Sequence, residues 1–177
     1  MSGVMNQTPT TPPALGDFPH PLRTLVVDDS AILMKSLCAY LNSQRLFQVV
    51  GTAVDGKEAL HMAECLEPDL VFMDMHMPVM DGLQATAILR RRMPSIRIII
   101  MTMEDSAITE AEARAHGAHG FIGKPRIIDD DLITEIRQAF LSDHTKDVRS
   151  SSRYAVNCPG SNASHEVFVN ELSHRAK

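Results

Sequence analysis

Between Thr24 and Leu141 the chain changes its hydrophobic period five times over. Each unit opens with a short apolar run and continues with a stretch whose apolar residues recur every three or four positions, the spacing of one helix face. "TLVVD" is followed by Ser30 to Gln44, with Leu33, Leu37, Tyr40 and Leu41 on one stripe, and "QVVGTA" by Gly56 to Leu66, with Ala59, Leu60 and Ala63. "DLVFMD" precedes "GLQATAILRRRM", and "IRIIIMT" precedes a segment carrying Ile108, Ala111 and Ala115. "GFIGK" precedes "DDDLITEIRQAFL", where Leu132, Ile136 and Phe140 recur every four residues. The runs are apolar at consecutive rather than alternate positions, so both faces of each strand must be covered. Five such units predict an α/β domain: a doubly wound five-stranded parallel sheet with helices on both faces. Crossovers in such sheets are right-handed and ligands bind beyond the carboxyl ends of the strands, so attention falls on the residues where each apolar run stops.

The flanks differ in composition. Residues 1–21 hold five of the ten prolines among Thr, Ser and Gly, which predicts a flexible, extended leader. Residues 143–177 are polar and Ser-rich and predict a disordered or loosely docked tail, with Ser164 to Ala176 as a candidate short helix. The remaining span, 22–142, is the folded domain. Residues 21–142 carry 12 Lys and Arg against 17 Asp and Glu, so no segment has the basic excess of a nucleic-acid binder. The three cysteines, Cys38, Cys65 and Cys158, show no CxxC spacing, which argues against a disulfide frame or zinc site and fits a reducing cytoplasm. No signal peptide or membrane-length apolar run is present, and a soluble cytoplasmic protein without membrane insertion is expected.

The first apolar run ends in Asp28 and Asp29, the third in Asp74, the fourth in Thr102 and the fifth in Lys124-Pro125. Taken singly, each Asp reads as a helix N-cap, and Asp29 is placed to act partly as one. Taken together, three carboxylates on one sheet edge repel unless something positive stands among them. Hard carboxylate oxygens without His or Cys suit Mg²⁺, which also recruits phosphate oxygens. An ionised Asp beside such a cation can attack a phosphoryl group, with Lys124 pairing one phosphoryl oxygen and Thr102 donating to another.

"LVVDDS", "DMHMPVMDG", "IIIMT" and "FIGKP" occur at spacings of 46, 28 and 22 residues from Asp28 through Asp74 and Thr102 to Lys124. Over residues 22–142 this pattern resembles a bacterial two-component response regulator receiver domain. The resemblance implies a flavodoxin-like sheet in the order 2-1-3-4-5. It implies Asp74 as the phosphoacceptor, Asp29 as a direct Mg²⁺ ligand, Asp28 as one acting largely through water, and the His76 backbone carbonyl as a further ligand. Lys124 matches the phosphate-pairing lysine, which in the family commonly precedes a cis peptide. Thr102 and Phe121 match the switch pair: the threonine moves to the phosphoryl group and the aromatic ring turns into the vacated space. That change reshapes a surface formed by the fourth helix, fifth strand and fifth helix.

Three positions depart from the family or tune it. The residue after Thr102 is usually small, and here it is Met103; His76 and Glu104 occupy the positions that orient or exclude the hydrolytic water. All three are expected to tune the phosphoryl lifetime. A soft copper site of Met73, Met75, Met77, Met80 and His76 is the weaker alternative to core packing. His116 and His119 read as a turn, Arg90 to Arg92 as a solvated helix end, and Asp81-Gly82 as a turn with a helix start.

The implied function is a stand-alone receiver similar to the single-domain chemotaxis regulators. It accepts a phosphoryl group from a sensor histidine kinase or histidine phosphotransfer protein and signals to a downstream target protein, as a monomer or a phosphorylation-dependent dimer. It is not an enzyme with a separate substrate, although it promotes its own phosphotransfer and dephosphorylation. A DNA-binding output would need about 60 residues after Leu141, where 36 stand. The rival readings are a phosphorelay intermediate or phosphate sink, and a phosphorylation-independent binding module.

Overall fold

The computed structural model describes residues 20–103, 106–127 and 131–141. Five strands alternate with five helices: β1 (Leu22–Val27), α1 (Ala31–Ser43), β2 (Phe47–Ala53), α2 (Gly56–Leu66), β3 (Leu70–Asp74), α3 (Gly82–Arg92), β4 (Arg97–Thr102), α4 (Ala107–Ala115), β5 (Gly120–Gly123) and α5 (Asp131–Leu141). The strands are parallel and lie in the order β2-β1-β3-β4-β5, the flavodoxin-like arrangement expected. Most of the predicted leader and all of the tail, with its candidate helix, lie outside the described residues.

The continuous apolar runs are explained by two cores, one on each side of the sheet. Leu22, Val26, Leu70, Phe72, Ile99 and Met101 face α1 and α5, whose Leu37, Leu41, Leu132 and Ile136 complete that layer. Their strand neighbours Leu25, Val27, Val71, Met73, Ile98 and Ile100 face the other way, against Ala59 and Ala63 of α2, Ala85 and Leu89 of α3, and Ala113 of α4. Adjacent letters thus go to opposite layers, and the one fully buried polar residue inside β1, Thr24, is satisfied by donating its hydroxyl to the Leu22 carbonyl at 2.9 Å. Alanine dominates the second layer, which lets α2, α3 and α4 lie close on the sheet.

The first four strands are each followed by a capped helix start. Ser30, Asp55, Asp81 and Ser106 accept from the amides of Leu33, Glu58, Gln84 and Thr109 at 3.4, 2.8, 2.8 and 3.3 Å. Ser30, not Asp29, therefore caps α1, and the expected partial capping role of Asp29 is corrected. Leu33 also departs from its predicted stripe: it is 40% exposed at the mouth of the first loop, while Leu37 and Leu41 are buried. His119 is no exposed turn residue. It is 7% exposed, its amide donates to the Ile98 carbonyl at 2.8 Å, and its Nδ1 accepts from the Ile98 amide at 3.1 Å, so the ring extends the β4–β5 ladder by one rung. No helix among the described residues is long and apolar enough to cross a membrane.

Candidate functional site

Parallel strands deliver their last residues to one edge. Asp28 follows β1 directly, Asp74 closes β3, Thr102 closes β4, and Lys124 follows β5 and opens a 3-10 turn over Lys124–Arg126. Lys124 Nζ lies 2.9 Å from Asp28 Oδ2 and 3.0 Å from Asp74 Oδ2, in a setting where all three side chains are nearly sealed from water. One carboxylate oxygen each from Asp28, Asp29 and Asp74 falls within 4.8 Å of the others, with Asp29 the exposed member. Asp28 is held by its own backbone: its amide donates to the Ala53 carbonyl at 3.1 Å and its Oδ1 accepts from the Ser30 amide at 2.8 Å.

Three carboxylates share the crevice with one ammonium, which two of them meet. Burial pushes the Asp74 carboxyl up from its usual range; Lys124 and the His76 amide pull it back, and Asp28 pushes it further up. Burial works to lower Lys124, yet its bonds to Asp28 and Asp74 win and raise it. Both shifts point the same way: the crevice takes up positive charge. A small oxygen-seeking dication fits such a donor set, which has no nitrogen or sulfur side chain in it.

The raised Asp74 value has a consequence for stability. Above the ordinary carboxyl value of 3.8 the unfolded chain has released its proton while folded Asp74 still holds one, so folding stability falls as pH rises through that window. Asp74→Asn should therefore melt above the unaltered protein in metal-free buffer at neutral pH, with the advantage shrinking to nothing as pH drops below 3.8. Thermal melts along a pH series check this, and equal melting temperatures at neutral pH would refute it.

The loop after Asp74 is tightly placed. Met75 donates to the Met101 carbonyl and accepts from the Gly82 amide, at 2.9 and 3.0 Å. A Cβ on Gly82 would lie 1.9 Å from the Asp74 carbonyl oxygen, and one on Gly56 2.7 Å from that of Met80. These two glycines set the distance between the phosphoacceptor candidate and the helices beside it. Sequence inspection read Gly82 only as a turn and helix start. The missed signal is that both helices begin on glycine, a poor helix former that such a position accepts when there is no room for more. Between Pro78 and Met80, whose backbones bond at 2.7 Å, Val79 adopts φ 67°, rare for a β-branched residue.

Met73 and Met75 are fully buried and Met77 and Met80 pack against the same core, the packing role expected of them, while His76 is exposed. The β4–β5 register pairs Thr102 with Gly123 and Ile100 with Phe121, which sets Thr102 and Phe121 on one sheet face, both buried. Met103 is 68% exposed at the rim. Glu104 lies outside the described residues. The Lys124-Pro125 bond is trans, against the family expectation. A cavity of about 50 Å³ beside Asp28 and Lys124, walled by Leu33, Leu37, Met101 and Ile127, is far smaller than a metabolite pocket, which runs to roughly 300 Å³ or more.

A parallel sheet in this order with a polar crevice on its carboxyl edge defines a flavodoxin-like α/β domain. Within that class the chain belongs to the response regulator receiver domain family, whose model matches residues 24–137. Among curated relatives it is 37% identical over 141 residues to a protein-glutamate methylesterase/protein-glutamine glutaminase of Caldanaerobacter subterraneus, covering 75% of this chain and 38% of that protein. The chain thus spans well under half the length of the methylesterases it matches. Among solved structures, the response regulator domain of Thermotoga maritima CheB is similar at 34% identity and TM-score 0.63, over 70% of this chain and 99% of that one. The CheX-CheY-BeF3-Mg²⁺ complex of Borrelia burgdorferi contains a chain similar at 28% identity and TM-score 0.60, over 72% and 92% respectively.

Proposed function

We propose that this domain accepts a phosphoryl group on Asp74 from a phosphorylated histidine of a sensor kinase or phosphotransfer protein, in a Mg²⁺-dependent reaction. The supporting observation is Lys124, whose buried ammonium bridges Asp28 and Asp74 at 2.9 and 3.0 Å. A carboxylate oxygen of Asp74 attacks phosphorus; a P–O bond forms, the bond from phosphorus to the donor imidazole nitrogen breaks, and its electron pair returns to that nitrogen. Lys124 follows the new charge on the phosphoryl oxygens, and the Thr102 hydroxyl donates to another of them. Asp28, Asp29, Asp74 and the His76 carbonyl would hold Mg²⁺. Bound there, Mg²⁺ supplies charge neutralisation for the carboxylates and the phosphoryl oxygens. The similar chain belongs to a complex solved with BeF3 and Mg²⁺, which favours the same metal here.

The surroundings of the crevice suit a protein donor. Ile32, Leu33, Val54, Val79 and Met103, the large apolar residues most exposed among those described, all stand in or just after the loops that follow β1 to β4, around the crevice. Large apolar side chains left exposed together around one site mark a surface for docking another protein. Thr102 and Phe121, on one face, couple phosphorylation to the surface of α4, β5 and α5, through which the domain signals to its target. Neither Cys38 nor Cys65 is in a disulfide, in keeping with a cytoplasmic setting. His76, Met103 and Glu104 set how long the phosphoryl group persists.

Incubation with Mg²⁺ and acetyl phosphate should add one phosphoryl mass, mapped to Asp74 and absent in Asp74→Asn or when the metal is chelated. An unchanged mass, or a gain that survives Asp74→Asn, rejects the assignment.

A further inference from the structure

On the outer side of α2, away from the carboxyl crevice, Cys65 Sγ lies 3.9 Å from His61 Nε2. We propose that this pair is a metal site of a second kind, a thiolate–imidazole chelate for Zn²⁺. The two residues are four apart on one helix, which stacks their side chains on one face. His61 is exposed and Cys65 half-buried, so the pair is open to an ion from solvent.

The separation fits the metal. Zn–S and Zn–N bonds of about 2.3 and 2.0–2.1 Å at a tetrahedral angle put sulfur and nitrogen about 3.6 Å apart, and a linear arrangement about 4.4 Å. The unloaded 3.9 Å is within a few tenths of the tetrahedral bite, a change that a small side-chain rotation provides. Nearby carboxylates are otherwise engaged, Glu64 with Arg92 at 2.7 Å and Glu58 with the Val54 amide at 2.9 Å. The helix therefore offers two ligands, and water fills the remaining positions. Ligand chemistry separates this site from the crevice: imidazole and thiolate select Zn²⁺ over Mg²⁺, whereas three carboxylates favour Mg²⁺.

The test uses the full chain carrying Cys158→Ser, in excess Mg²⁺ to occupy hard-oxygen sites. Co²⁺ is added as the spectroscopic probe and then displaced with Zn²⁺. A thiolate-to-cobalt charge-transfer band should appear and disappear on zinc addition. Cys65→Ser should remove the band, and His61→Ala should weaken binding at least tenfold. Cys65→His should restore Zn²⁺ binding without the band, showing that loss in the other variants is not loss of fold. Absence of the band in the parent, its persistence in Cys65→Ser, or equal affinity in His61→Ala overturns the proposal and leaves the Asp74 assignment untouched.

Discussion

Lys124→Ala should slow phosphorylation of Asp74 by acetyl phosphate about 10²- to 10³-fold, the usual cost of deleting one preorganised group aimed at developing charge. It should also destabilise the metal-free protein by about 3 kcal/mol, because removing one partner strands the other buried charges. Here the stranded groups are two carboxylates that met the same ammonium, at 2.9 and 3.0 Å. With the ammonium gone, Asp28 and Asp74 repel directly, and Asp74, already pushed up by burial, moves further up. The variant should hold a proton to higher pH than the unaltered protein, or bind a cation in its stead. Added Mg²⁺ should thus recover more melting temperature in Lys124→Ala than in the unaltered protein, while recovering little of the rate. That divergence separates the two roles of the lysine: a dication can balance the carboxylates but cannot reach the phosphoryl oxygen that the ammonium pairs. Stopped-flow phosphorylation and melts with and without Mg²⁺ measure both. An undiminished rate, or a variant that Mg²⁺ stabilises no more than the parent, would show that Lys124 does not bridge the carboxylates as described.

The sheet and the convergence at its edge were legible because both rest on long-range regularities of the letters. Consecutive apolar runs such as Leu70 to Met73 demand two covered faces, and parallel strands then bring Asp28, Asp74, Thr102 and Lys124 to one rim whatever their separation in sequence. What the letters did not disclose were contacts that depend on side-chain placement at close range. His119 is a polar residue in a turn-like "GAHG", and only the approach of its ring to the Ile98 amide makes it part of the sheet. Leu33 fits its helical stripe by period, but the stripe passes the end of the sheet there and the side chain meets the crevice mouth. Asp29 and Ser30 both suit an N-cap, and the backbone chose the serine because Asp28 already turns the chain by binding the Ser30 amide.

Gly82 shows the same limit most sharply, and its replacement should have the largest effect on folding. Alanine would place a methyl carbon 1.9 Å from the Asp74 carbonyl oxygen and 3.0 Å from Met73 Cγ. No rotamer relieves a Cβ clash, and the obstructing atom is backbone in a central strand, so β3 or α3 must shift. Overpacking of this kind costs about 3 kcal/mol or more, which for a domain of this size lowers the melting temperature by roughly 10 °C. Any population that folds should phosphorylate poorly, since displacing a reacting group by about 1 Å costs on the order of 10²-fold. The other glycines grade the argument. A Cβ at Gly56 meets the Met80 carbonyl at 2.7 Å, also backbone but less severe; one at Gly51 meets Leu66 Cδ1 at 2.6 Å, the tip of a side chain that can rotate away. Stability losses should therefore fall in the order Gly82→Ala, Gly56→Ala, Gly51→Ala, although the last two distances are nearly equal. Equal losses for Gly56→Ala and Gly51→Ala would mean that contact distance alone decides the cost, and a mild Gly82→Ala would mean that the loop after Asp74 is free to move.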